Sequence, residues 1–244
     1  MEAFFMQCRD TLDVHHDKRE RIIKLSRDIT ALSKKLIFAL HRTTQNEQAS
    51  KNGYKDARAK QEEIMRLFKQ LAPEVEGASY YRYARSFSGA FEEYIEAIAF
   101  FHYLEHQKLI LKSEIDKHFV DDDGQPWLKV QQQDYILGLA DFTGELMRMA
   151  INNVATGKYD QAMNICKLLR ALSSDFELLS GTTFPLLNKK MNALRSSLNK
   201  VERACYTYRI RGSEYPREIY ESMIRDHHAR YDEERQSAMA MNDE

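Results

Sequence analysis

Four carboxylates are the residues here whose type and spacing could do chemistry. Glu93 and Glu96 stand three residues apart, and Asp141 and Glu145 four apart. On a helix, residues at those separations project side by side, so each pair offers two oxygen-rich groups in one direction. If the two helices pack together the four carboxylates converge, and clustered carboxylates repel unless protons, basic side chains or cations neutralise them. Hard oxygen donors of this kind select Mg²⁺ or Mn²⁺. The competing account is an ordinary ion-pair cluster, because Arg148 follows Glu145 by three residues and Asp141 by seven. Acidic pairs at helical spacing are common on solvated surfaces. Position raises the case for the metal: both pairs interrupt stretches that are otherwise apolar nearly all round, where a charge is costly without a partner. On spacing alone the ion-pair cluster is the stronger of the two accounts.

Other chemistries fare worse. A ferritin-like di-iron centre needs a Glu-x-x-His pair from each of two helices, whereas Glu93 is followed at that spacing by Glu96 and Glu145 by Arg148. There is no HExxH and no Gly-rich phosphate loop. His15-His16 and His227-His228 lie near the ends, where histidines are usually solvated. The Asp121-Asp122-Asp123-Gly124-Gln125-Pro126 segment invites a calcium reading, but an EF-hand frame on Gly124 puts Phe119 and Val130 at positions that require oxygen ligands. A solvated turn is expected instead. Cys8, Cys166 and Cys205 are odd in number and widely spaced, which argues against a disulfide framework or thiolate zinc site and suits a reducing compartment.

Two basic groups are candidates for contact with a phosphate backbone. Arg21, Lys24, Arg27, Lys34, Lys35 and Arg42 share the side of one helix opposite its apolar stripe, diluted by Glu20 and Asp28. Arg82 and Arg85 sit among Tyr80, Tyr81 and Tyr83, a mixture that can clamp single-stranded bases. A solvated face and packed tyrosines explain the same patterns. The 36 basic and 37 acidic side chains give a formal charge of -1, so attraction for nucleic acid must come from local patches.

The elements that must position these groups are helices. Only 9 Gly and 4 Pro interrupt 244 residues, against average usages of roughly 7% and 5%. Apolar residues at Ile22, Leu25, Ile29, Leu32, Leu36 and Leu40 make one face of a helix over about 17–42. Further helices are expected over about 53–71, ending before Pro73, and over 80–106, 113–119, 133–156, 159–179 and 185–211. The third is apolar nearly all round between Tyr94 and Leu104, and the helix over 133–156 is similar, so both should be central. Leu187, Met191, Leu194, Leu198, Val201, Cys205 and Tyr208 keep a heptad-like register that makes Cys205 a core residue and could also serve subunit contacts. Gly212 reads as a helix stop and Pro216 as a new start. With no linker in sight, the expectation is an all-α protein: one domain over 1–244, a compact bundle of about seven helices with frayed ends near 1–10 and 232–244. No uncharged run approaches the roughly 18 to 20 residues that would span a bilayer, and MEAFFMQCRD has no basic leader, so the expectation is a soluble intracellular protein with no membrane partner.

Several segments together resemble the Trax branch of the translin family: DKRERIIKLSRDIT at 17–30, FEEYIEA at 91–97, DYILGLADFTGELMRMAINNV at 134–154 and KVERACYTYRIRGSEYP at 200–216. The resemblance implies a bundle of about seven helices acting as the catalytic partner of translin in a hollow, roughly octameric hetero-oligomeric shell. It implies Mg²⁺-dependent endonucleolytic cleavage of single-stranded or nicked RNA, such as small-RNA passenger strands or tRNA precursor fragments. By the EYxEA motif the family's acidic pair falls on Glu93 and Glu96, and by the ADxTGE motif its aspartate falls on Asp141 with Glu145 as a fourth member. The resemblance ranks metal binding above the ion-pair account and leaves Arg148 as a structural neighbour. Family members often carry a longer basic N-terminal extension that serves as a nuclear signal, which is not seen here. The implied location is therefore the cytoplasm, with nuclear entry open in the company of a partner.

Overall fold

Helix-favouring side chains without Gly or Pro over the first 45 residues produce one long helix, α1 (Glu2–Gln45). The computed structural model describes residues 1–45, 50–179 and 184–211. There α1 is followed by α2 (Ser50–Leu71), α3 (Ala78–His106), α4 (Lys112–Asp116), α5 (Gln132–Ala155), α6 (Tyr159–Leu179) and α7 (Pro185–Arg211). These seven α-helices, with an isolated Val120–Pro126 bridge in a loop, make the protein all-α, as the periodicity predicts. None of the described helices is long and apolar enough to cross a membrane.

The chain divides into two compact units, Met1–Phe142 and Thr143–Glu244. The boundary falls inside α5, so no Gly- or Pro-rich linker marks it in the sequence. A difference from the periodicity lies at the start. Residues 1–10, expected to fray, are helical from Glu2 onward, because the apolar stripe that begins at Ile22 reports only the packed part of α1. The earlier part is exposed, with Phe4, Phe5, Leu12 and Val14 open to solvent. Gly212, Pro216, His227-His228 and the 232–244 end lie outside the described residues.

In the first unit α2 runs back along α1. Arg21 grips Glu74 just beyond the end of α2 at 2.8 and 3.1 Å, while the start of α2 passes so near α1 that a Cβ on Gly53 would collide with Thr43. Pro73 sits in a 3-10 turn over Ala72–Val75, and Gly77 at φ 60° redirects the chain into α3. α3 then follows the sense of α1, with Lys34 beside Glu93 and the rings of His41 and Phe100 4.6 Å apart. An aromatic cluster closes the core: Phe68 of α2 lies 4.8 Å from Phe91, 5.4 Å from Tyr94 and 5.1 Å from Phe119. From Phe91 to Phe101 only Glu92, Glu93 and Glu96 escape full burial. The helix read as apolar all round is thus buried on several sides.

In the second unit α6 and α7 pair. Leu187, Met191, Leu194, Val201 and Cys205 are buried, which spends most of the heptad-like stripe on the unit's own core. Arg170 and Glu202 are joined at 2.6 Å, and buried Cys166 lies against Cys205.

Candidate carboxylate site

The acid-bearing helices meet where one of them has no side chain. Gly138 of α5 lies so close to α3 that a Cβ would stand 2.7 Å from the Glu92 carbonyl oxygen and from Ile95 Cβ. Ile95 against Gly138 and, further along both helices, Tyr103 against Phe142 (ring centroids 6.1 Å apart) follow in the same order. α5 therefore runs in the sense of α3. Asp141 follows Gly138 by three residues, and Glu93 lies within, and Glu96 just after, the turn of α3 that Gly138 touches.

Glu93 is about one quarter exposed, and its Oε1 lies 3.1 Å from Lys34 Nζ on α1. Glu96 is half-buried between Ile95 and Ala97, and Asp141 is half-buried between Ala140 and Phe142. Glu145, one turn beyond Asp141 on α5 and within the second unit, is buried and accepts Arg148 at 3.4 Å. The turns of α3 and α5 that carry Glu92, Glu93 and Asp141 meet at Gly138, and Glu93 and Glu145 each hold a basic partner.

The repulsion expected of converging carboxylates falls on residues that the spacing did not single out. Asp134 is buried on α5, and its carboxyl is pushed up to about 7, first by burial and then by the negative charge of Glu92. A signal for it was present. Asp134 precedes Asp141 by seven residues, two turns along the same face, and Glu92 adjoins Glu93.

Magnesium suits this donor chemistry, since all four groups are hard oxygen ligands. Among the described residues no three His, Cys, Asp or Glu side chains are grouped as they would be around a bound ion. If these groups were to hold one, Glu93 would exchange Lys34, and Glu145 Arg148, for the metal. The Lys34–Glu93 pair is open to solvent on the lysine side, and exposed pairs contribute only about 0–1 kcal/mol.

The basic candidates divide. Arg21 is committed to Glu74, which raises the arginine and lowers the glutamate from their ordinary pKa values through their mutual hydrogen bond. Arg82 lies on the ring of His15, whose Nδ1 is 2.7 Å from the Tyr83 hydroxyl. Tyr80 and Tyr83 are packed in the core, leaving Tyr81 as the exposed ring of the three. Lys24, Arg27 and Arg85 are exposed. The acidic loop is a side-chain-stabilised turn, Asp121 Oδ1 accepting from the N–H groups of Asp123 and Gln125 at 3.1 and 2.7 Å.

Fold and crossing together define an all-α protein with acidic groups on two helices that run in the same sense through a glycine contact. The sequence gives that class a family: residues 17–212 match the model of the Translin family, and the chain belongs to it. It is 36% identical over 234 residues to translin-associated protein X of Rattus norvegicus, covering 88% of this chain and 80% of that protein. It is 30% identical over 215 residues to the translin-associated protein X homolog of Schizosaccharomyces pombe, covering 86% and 89%. Human translin is more distant, at 24% over 220 residues, covering 87% and 94%. Among solved structures, apo-NeC3PO shares the fold with a TM-score of 0.66 at 21% identity, covering 83% of this chain and 95% of that one. AfC3PO in complex with duplex RNA does so at 0.63 and 19%, covering 84% and 96%.

Proposed function

We propose that this chain is a metal-dependent endoribonuclease subunit that works in a hetero-oligomer with translin, in an octameric shell, and hydrolyses phosphodiesters of single-stranded or nicked RNA. The observation that carries the reading is the approach of the acid-bearing turns of α3 and α5 at Gly138, in a chain of the translin family. Glu93, Glu96 and Asp141 would hold Mg²⁺, with Mn²⁺ as an alternative and Glu145 assisting from the next turn of α5. The bound ion would polarise the scissile phosphate and lower the pKa of a water nucleophile. The protein's own part is to orient. Packing fixes the backbones that carry Glu93, Glu96 and Asp141, so binding would need only their side chains to turn inward, with Glu93 leaving Lys34, and exposed Lys24, Arg27 and Arg85 would attract the phosphate backbone without reading bases. A solved structure of this fold holds duplex RNA, which supports RNA as the ligand. Exposed Phe4, Phe5, Leu12 and Val14 support assembly, since apolar groups gathered on one segment mark contact surfaces. The location that suits this role is cytoplasmic, with access to the nucleus alongside translin. Passenger strands of small RNAs and tRNA precursor fragments are the substrates to try first.

A specific observation favours a second reading, a non-catalytic RNA-binding or assembly subunit. Glu93 and Glu145 already have the basic partners that structural acids have. Cleavage of single-stranded RNA by the chain plus translin, with Mg²⁺ or with EDTA, separates the two. Turnover that EDTA stops, and that Glu93→Gln, Glu96→Gln and Asp141→Asn each remove while assembly persists, is the expected result. Normal cleavage with all three replaced would sink the catalytic reading, and RNA binding without turnover would establish the second.

A further inference from the structure

The side of α3 that faces α2 carries a feature the carboxylate site does not use. Between α2, α3 and the segment 110–118 lies a cleft of about 650 Å³, within the roughly 300–1,000 Å³ typical of small-molecule sites. Buried Ile98, Phe101 and Ile110 make its floor, and exposed Arg66 and Lys69 stand at its α2 edge. At the other end Arg58 is held by Glu105 at 2.7 Å, so that pair is neutral as a unit.

The wall contains a polar relay. Tyr94 is fully buried near Gln61, and its hydroxyl lies 2.7 Å from His118 Nδ1. Burial raises the phenol far above the ordinary tyrosine range and lowers the imidazole below the ordinary histidine range. Tyr94 therefore keeps its proton, and in the tautomer in which it donates to Nδ1 neutral His118 carries its own proton on Nε2. Gln61 and His118 both line the cleft. His118, with Tyr94 on its Nδ1, thus lines the same cleft as two cations and an apolar floor.

The geometry points to this cleft as a binding site for a nucleoside monophosphate group, with the phosphate met by Arg66, Lys69 and His118 and the base laid on Ile98, Phe101 and Ile110. Glu62, which also lines the cleft, suits the ribose hydroxyls as an acceptor. A bare phosphate would leave the apolar floor unused, and a nucleoside would leave the cations unanswered. The group has two sources, a free nucleotide or the phosphorylated end of an RNA strand, and both present the same chemistry.

Calorimetric titration of the full chain in EDTA, which keeps the metal reading out of the result, tests this. Adenosine 5′-monophosphate is expected to bind saturably, with adenosine and inorganic phosphate each weaker by at least roughly tenfold. Arg66→Glu combined with Lys69→Glu, both at exposed positions, is expected to weaken the monophosphate by at least roughly tenfold without changing the thermal unfolding midpoint. A 5′-phosphorylated dinucleotide that binds like the monophosphate, while its 5′-hydroxyl counterpart does not, identifies an RNA end as the source. Binding of the monophosphate alone identifies a free nucleotide. Failure of the monophosphate to saturate at millimolar concentration overturns the site, and so does saturation that the double reversal leaves unchanged.

Discussion

Toward α5, helix α3 packs backbone against backbone at Gly138, and the charges near that contact are carboxylates: Glu92, Glu93 and Glu96 on one helix, Asp134 and Asp141 on the other. Toward α2 the same helix leaves about 650 Å³ open, and Arg66 and Lys69, with Glu62 beside them, stand at the α2 edge of that space. Both sides belong to a stretch whose sequence is apolar nearly all round. Burial is thus a property of the whole helix, while the closeness of approach and the sign of the charge belong to each neighbour. The close side concentrates repulsion that protons or cations must relieve, and the open side supplies donors that an anion could use.

The largest effect that would test this contrast is on catalysis. Glu93→Gln, Glu96→Gln or Asp141→Asn should lower metal-dependent RNA cleavage by more than about 100-fold, beyond the loss caused by removing an outer-shell partner. Initial rates of the complex with translin measure it. Cleavage retained within a few-fold would move the chemistry away from the close side.

A pair of glycine replacements comes next. Gly138→Ala puts a Cβ 2.7 Å from the backbone oxygen of Glu92, which a side-chain rotation cannot relieve. The expected cost is about 1–3 kcal/mol, as for overpacking in a core. Gly89 is an exposed position inside α3 where an added Cβ meets nothing within 4 Å, so Gly89→Ala should stabilise by up to about 1 kcal/mol. Urea unfolding of the two variants beside the parent gives opposite signs if the close approach is specific to the α5 side.

The third effect depends on pH. The Asp134 carboxyl is raised from 3.8 to about 7 in the folded protein. Between those values the native state holds the proton more tightly than the unfolded chain, so stability is greatest below the lower value and declines until pH passes about 7. The slope from this group is at most about 1.4 kcal/mol per pH unit. Asp134→Asn should remove that component, so its stability relative to the parent improves from pH 4 to pH 8. A constant difference over that range would mean that Asp134 is not held by burial beside Glu92.

How legible this was in the sequence depends on the kind of contact. The seven helices follow from periodicity, because burying a stripe at Ile22, Ile29, Leu36 and Leu40 needs only local spacing. Cys205 in the core follows in the same way. The helical run before Asp17 has no buried stripe to announce it, and the unit boundary falls inside the continuous helix α5, with no linker to mark it. Glu93, Glu96 and Asp141 stood out by interrupting apolar stretches. Asp134 did not, since its burial depends on α3 passing over it, and Gly138 shows its purpose only against Glu92. Arg21 and Arg82 looked available until their partners, more than fifty residues away in the chain, were in view. The cleft was out of reach for the same reason, being made of residues from three segments.

The smallest effect comes from two ion pairs that are nearly matched. Lys34–Glu93 on the close side has side-chain exposures of 62% and 24%, and Arg58–Glu105 on the open side has 65% and 25%, so solvent screens them alike. Lys34→Gln and Arg58→Gln should each cost about 0–1 kcal/mol in unfolding experiments. Their effects on cleavage should differ. If Glu93 holds the metal as proposed, Lys34 competes for it, so Lys34→Gln should lower the Mg²⁺ concentration needed for half-maximal rate, whereas Arg58→Gln should leave that concentration unchanged. If both variants shift it equally, the change reflects the overall charge of the protein, and Glu93 loses its claim as a ligand. A shift confined to Lys34→Gln ties the metal to the close side of α3 through a residue that is itself no ligand.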